Sequence, residues 1–129
     1  MKNSLKKNEI LRGYKVFSRV ITTGKSIRRG NLSFYYIVGS LESNKIELGF
    51  AVSKKVKNAV NRNRVKRLMK DYFRLNKSAF YELLLSKGCS LESVVIFNSN
   101  RMDIINKINL TGIKADFDQI FNELKNNLK

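Results

Sequence analysis

The amino-acid sequence predicts an α+β fold, a small mixed sheet packed on helices, in the order helix, two or three strands, helix, strand, helix. Three observations carry that prediction. Apolar residues recur at three- and four-residue steps in three separate stretches, the spacing that gives a helix one dry face. Between these stretches lie one run alternating at period two and another that is continuously apolar, the marks of half-buried and fully buried strands. The length, 129 residues, suits one domain over residues 1–129, since folded domains cluster at about 100–150 residues, so the elements share one core.

From Asn8 to Ile21 the residues Ile10, Leu11, Tyr14, Phe17 and Ile21 fall on one helical face, and Gly24 ends the element. Gly13, inside this run, weakens the helix by about 1 kcal/mol relative to Ala. Lys25, Arg28 and Arg29 are expected to form a basic connector. Leu32 to Val38, rich in aromatic and β-branched residues, reads as a strand, and Glu42 to Asn44 as a turn. Ile46, Leu48, Phe50 and Val52 then alternate with Glu47, Gly49, Ala51 and Ser53. One face of that strand is large and apolar, and the other is small enough for another chain to approach closely. Asn58 to about Lys77 is the second helix, with Asn58 as cap and Val65, Leu68, Met69 and Tyr72 in one stripe. Arg67, Lys70 and Arg74 point away from it. Ala79 to Leu85 either prolongs this helix or forms a short one of its own, and Gly88 breaks it. Ser93 to Phe97 suits a buried strand, and Ile113 to Leu128 a last helix whose apolar face holds Phe117, Ile120, Phe121, Leu124 and Leu128.

Charge narrows the function. With 26 Lys+Arg, 10 Asp+Glu and no His, the net charge is +16, yet 8 Phe and 5 Tyr are available to a core. A disordered polycation lacks such aromatics, so the chain is a folded basic domain whose natural partner is acidic, with nucleic acid the leading class. A single cysteine, Cys89, and no histidine exclude a Cys/His zinc site and an intramolecular disulfide. No apolar run approaches the roughly 18–20 residues of a membrane span, and Met1 to Leu11 lacks the apolar stretch of a signal peptide. A soluble cytoplasmic protein is expected.

Basic residues crowd between Lys54 and Lys77 against one acid, Asp71. A merely solvated helix would interleave Glu with Lys. Here Arg62, Lys66, Lys70 and Arg74 are like-charged i, i+4 neighbours, each pair costing about 0.2–0.5 kcal/mol, and a polyanion is needed to offset them. Arg62, Asn63 and Arg64 bring guanidinium groups that hold phosphate at two points. Consecutive helical residues sit about 100° apart, so the trio fits a broad, folded nucleic acid better than a small ligand. Tyr14, Phe17, Tyr35 and Tyr36 serve either as stacking surface for unpaired bases or as core, and Phe34 as core. No side chains assemble an active site: Asp116 and Asp118 do not face each other on a helix, Cys89 lacks a histidine base, and Gly49, Gly88 and Gly112 lack phosphate-loop spacing.

The run Gly49-Phe50-Ala51-Val52-Ser53-Lys54-Lys55, followed by Asn58-Ala59-Val60-Asn61-Arg62-Asn63-Arg64-Val65-Lys66-Arg67-Leu68 and ending Lys70-Asp71-Tyr72-Phe73-Arg74, resembles the signature of the bacterial ribonuclease P protein subunit. Lys6-Lys7-Asn8-Glu9, Lys15-Val16-Phe17 and Ser93 to Phe97 extend the likeness over nearly the whole chain. The resemblance implies a ribosomal protein S5 domain 2-like fold with a left-handed βαβ crossover, against the usual hand. It also implies an accessory protein of a ribozyme that removes the 5′ leader of precursor tRNA. Magnesium then sits on the RNA, and the protein itself binds no cofactor, small-molecule substrate or membrane. By this likeness Arg62, Asn63, Arg64, Lys66, Arg67 and Lys70 bind the ribonuclease P RNA. Phe17, Tyr35, Ser53, Lys54 and Lys55 match a cleft, between the first helix and the sheet, that holds the single-stranded leader. Asn98 to Thr111 is longer than the family pattern, and just after the last strand only Arg101 is available as a basic contact. The alternative is a ribosomal or general RNA-binding protein. A polybasic domain on anionic membrane fits less well, because the basic helix needs its apolar side for the core.

Overall fold

A computed structural model describes residues 9–11, 13–39, 45–56, 58–99 and 109–128. The turn expected at Glu42 to Asn44, the Lys6-Lys7-Asn8 opening, Arg101 and the Tyr14 side chain lie outside the described residues. The elements are α1 (Tyr14–Thr23), β1 (Lys25–Arg29), β2 (Leu32–Val38), β3 (Ile46–Val52), α2 (Ala59–Leu75), α3 (Lys77–Lys87), β4 (Leu91–Phe97) and α4 (Leu110–Asn127). The strands form one sheet in the order β1-β2-β4-β3. β1, β2 and β4 pair antiparallel, whereas β3 and β4 run parallel and are joined by the crossover through α2 and α3. The sheet is therefore mixed and the α+β class is correct.

Sequence spacing misplaced four boundaries, the last helix among them, which starts at Leu110 and not Ile113. The first helix starts at Tyr14 instead of Asn8, because Gly13 holds φ 100°, a left-handed conformation that no helix continues through. Ile10 and Leu11 are extended along the outer edge of β3, where Leu11 N–H donates to Leu48 O at 3.0 Å. Lys25, Arg28 and Arg29 are not a connector but belong to β1, a strand joined to β2 through Gly30-Asn31. Only Ile27 of β1 is buried, so an edge strand of this kind shows almost no apolar signal. The last strand starts at Leu91, two residues ahead of Ser93. Ala79 to Leu85 belongs to a separate helix: Asn76 N–H bonds to both Tyr72 O and Phe73 O, closing α2 before α3 begins.

Strand alternation divides the molecule. Phe34, Tyr36, Leu48, Phe50, Val95 and Phe97 point into the main core with Val65, Met69, Tyr72 and Phe73 of α2 and Phe117, Ile120 and Leu124 of α4. Phe34 and Tyr36 are thus core residues, while Tyr35 faces the other way. On that other face Leu11, Val20 and Val94 form a smaller cluster under α1. Two polar ties fix the helices. The Tyr72 ring stacks on Phe117 at 4.4 Å, and its hydroxyl donates to Asp118 at 2.6 Å. Burial, helped by that carboxylate, pushes the Tyr72 phenol pKa up. Glu9 and Lys77, both buried, pair at 2.8 Å, and Tyr81 OH donates to Glu9 at 2.5 Å. Breaking such a buried pair by removing one partner costs about 3–5 kcal/mol, so the chain ahead of α1 is firmly docked on the start of α3.

Candidate nucleic-acid interface

Asn58 starts the basic helix by accepting the Val60 N–H on its side-chain oxygen at 2.8 Å. Val65, Met69, Tyr72 and Phe73 are buried. Asn63, Arg67 and Lys70 are exposed, and Arg62, Arg64 and Lys66 are half-buried at the margins. Asp71 pairs with Arg74 at 3.7 Å. The first turn holds no acidic residue, so the positive end of the helix dipole adds to the attraction for phosphate.

Arg62 differs from the rest of the predicted set. Its Nη1 donates to Val56 O at 2.9 Å, tying the helix to the segment that leads into it from β3. Ser53 organises that segment. Its N–H donates to Phe97 O at 2.8 Å, its hydroxyl accepts the Lys55 N–H at 3.2 Å, and its carbonyl accepts the Val56 N–H at 3.0 Å. Val56 is buried, and Lys54 and Lys55 are left exposed on the turn. The two lysines therefore sit where the end of the sheet meets the basic helix.

The face of the sheet under α1 is built from cross-strand rows. One row runs Ser26, Tyr35, Val94, Gly49, and the next Arg28, Ser33, Ile96, Ala51. A third holds Ile37, Glu92 and Glu47. α1 covers the first and third rows. Val20 is buried with Val94, and Phe17 lies on Gly49 so closely that an added Cβ would meet Phe17 Cε1 at 2.6 Å. Arg19 clamps Glu92 with two hydrogen bonds, of 2.6 and 3.3 Å. Ser33, Ile96 and Ala51 remain half-exposed beside Phe17 and Tyr35. The structure thus brings Phe17 and Tyr35 to one cluster on the α1 face of the sheet, the candidate cleft, with Ser53, Lys54 and Lys55 just past the end of β3. Aromatic rings with cations at the rim suit single-stranded nucleic acid, whose bases stack while its phosphates seek charge.

Three features escaped sequence reasoning. Long-range pairing creates the Arg19–Glu92 clamp. Arg28 reaches the cleft face only because Lys25–Arg29 is a strand. The Arg62 tie to Val56 follows from the shape of the turn. Asp116, Asp118 and Cys89, the reactive groups weighed in the sequence, are engaged in structure. Asp116 accepts the Asn31 N–H at 3.4 Å, and burial raises its pKa. Burial alone would also raise Asp118, but Lys114 at 2.5 Å and the Tyr72 hydroxyl outweigh it and hold that carboxyl below its usual range. Burial pushes the Cys89 thiol up, away from the nucleophilic thiolate.

The family described as Ribonuclease P matches residues 5–129. The chain belongs to the ribonuclease P protein family. Within that family, the ribonuclease P protein component of Alkaliphilus metalliredigens is 47% identical over 75 residues, 58% of this chain and 60% of that protein. The component of Pelotomaculum thermopropionicum is 38% identical over 74 residues, 57% of this chain and 64% of that protein. The matched stretch thus spans less than two thirds of each relative. Solved ribonuclease P proteins share the fold: that of Staphylococcus aureus has a TM-score of 0.69 at 23% identity, over 92% of this chain and 97% of the other. The Thermotoga maritima protein gives 0.68 at 22% identity, over 92% and 96%.

Proposed function

We propose that this chain is the protein component of a ribonuclease P in the cytoplasm, assisting endonucleolytic removal of the 5′ leader from precursor tRNA. In this reading α2 binds the catalytic RNA through Asn63, Arg64, Lys66, Arg67 and Lys70, with Arg62 shaping the join. The cleft of Phe17 and Tyr35 holds the single-stranded leader, whose phosphates meet Lys54 and Lys55. The observation that carries the reading is the join itself. One short turn, pinned by Ser53 and Arg62, links the aromatic cleft to the basic helix, so a strand in the cleft and an RNA on the helix are held side by side.

Hydrolysis of the phosphodiester, giving a 5′-phosphate, is assigned to the RNA partner and its magnesium. The chain has no histidine, and among the described residues no three Cys, Asp or Glu side chains come together. The protein's part is to orient the leader and to replace cations at crowded phosphates, lowering the magnesium needed. Phe17→Ala tests the cleft. Affinity of the holoenzyme for precursor tRNA should fall about tenfold, the loss of one stacked base, with mature tRNA bound as before. Equal losses for both substrates would show that Phe17 does not hold the leader.

A further inference from the structure

We infer that Arg28 is a second phosphate anchor for the leader, at the far side of the sheet from Lys54 and Lys55. This rests on the leader-cleft reading above. Residues 25–29 alternate across the sheet: Ile27, paired with Phe34, is buried in the main core, which turns Ser26 and Arg28 to the α1 face beside Tyr35 and Ser33. Arg28 therefore ends the row that continues through Ser33, Ile96 and Ala51, the row that α1 leaves half-exposed. Past Ala51 the chain reaches Ser53 and the two lysines. An open floor thus has cations at both ends.

Its neighbour shows that charge alone does not explain the residue. Arg29, on the opposite face, is paired with Glu123 of α4. Arg28 is exposed, and among the described residues its guanidinium has no acid or hydrogen-bond acceptor. A guanidinium so placed offers two-point binding to a phosphate. Adjacent strands lie about 4.8 Å apart, so the crossing from β3 to β1 is about 14 Å. At a stacked rise of about 3.4 Å that distance is roughly four nucleotides, and fewer for a strand drawn out. A charged edge strand also discourages edge-to-edge pairing, but that role has no dependence on the leader.

The test uses the full chain assembled with ribonuclease P RNA and precursor tRNAs whose leaders grow one nucleotide at a time. Arg28→Ala should leave mature tRNA binding unchanged and weaken leader-bearing substrates about tenfold. Its onset should come at a leader length differing from that of Lys54→Ala by about two to four nucleotides, and Arg28→Lys should recover part of the loss. A loss shared by mature tRNA, no loss at any length, or an onset coinciding with that of Lys54→Ala would overturn the assignment while leaving the cleft in place. If the unaltered protein gains nothing from a leader of any length, the leader reading fails and takes Arg28 with it.

Discussion

Gly49 is buried beneath the Phe17 ring, and any side chain there would occupy the space the ring fills. The absence of a Cβ at this one position is what lets α1 lie close to the sheet while Phe17 stays half-exposed at the cleft. Gly49→Ala should therefore push the ring aside and mimic Phe17→Ala. Preference for precursor over mature tRNA drops by about five- to tenfold, while far-ultraviolet circular dichroism stays that of the folded protein; an unchanged preference would separate the ring from the leader. At this scale much of the site was legible. Period-two alternation put Gly49 on the small face of its strand, and that face lies under α1. The alternation could not choose between Tyr35 and Tyr36, since adjacent strand residues face opposite ways and either parity is acceptable in isolation; packing against Asn127 and Phe34 claims Tyr36 for the core. Arg62 was legible as a basic residue but not as a donor to Val56 O, because a side-chain bond to a turn carbonyl leaves no spacing signature.

Among the elements, α2 was the most readable, since its dry stripe and basic face both recur at helical spacing. Its charges make a quantitative expectation possible. Each phosphate contact contributes about 0.7–0.9 to the slope of log affinity against log salt. Arg62→Ala combined with Arg64→Ala should weaken binding of the RNA subunit and flatten that slope, measured by filter binding over a salt series. Unchanged affinity would remove Arg64 from the interface and show that the Arg62 tie does not shape it. β1 was the least readable element, with one buried residue in five. The start of α1 misled for a different reason. Leu11 is buried from an extended segment and Ile10 bridges to Leu48 beside it, and their positions happen to continue the helical spacing of Phe17 and Ile21. Among the described residues, the conformation of Gly13 separates the two elements.

Across the whole molecule the sheet divides the labour. One face carries the main core with α2, α3 and α4, and the other carries α1 and the cleft. The short turn with Lys54 and Lys55 joins the cleft to the basic side of α2. A net charge of +16 makes the compact chain repel itself, a cost that a polyanionic partner removes. Fold class followed from periodicity and length. The strand order did not, because pairing of β4 between β2 and β3 is a long-range choice that no local pattern encodes. Whether this chain positions precursor tRNA on a catalytic RNA is decided by cleavage of a precursor by a bacterial ribonuclease P RNA at low magnesium, with and without the protein. Correct 5′ ends should appear in quantity only when the protein is present. Tight RNA binding with no stimulation of cleavage by the cognate RNA would contradict it and leave a general RNA-binding domain.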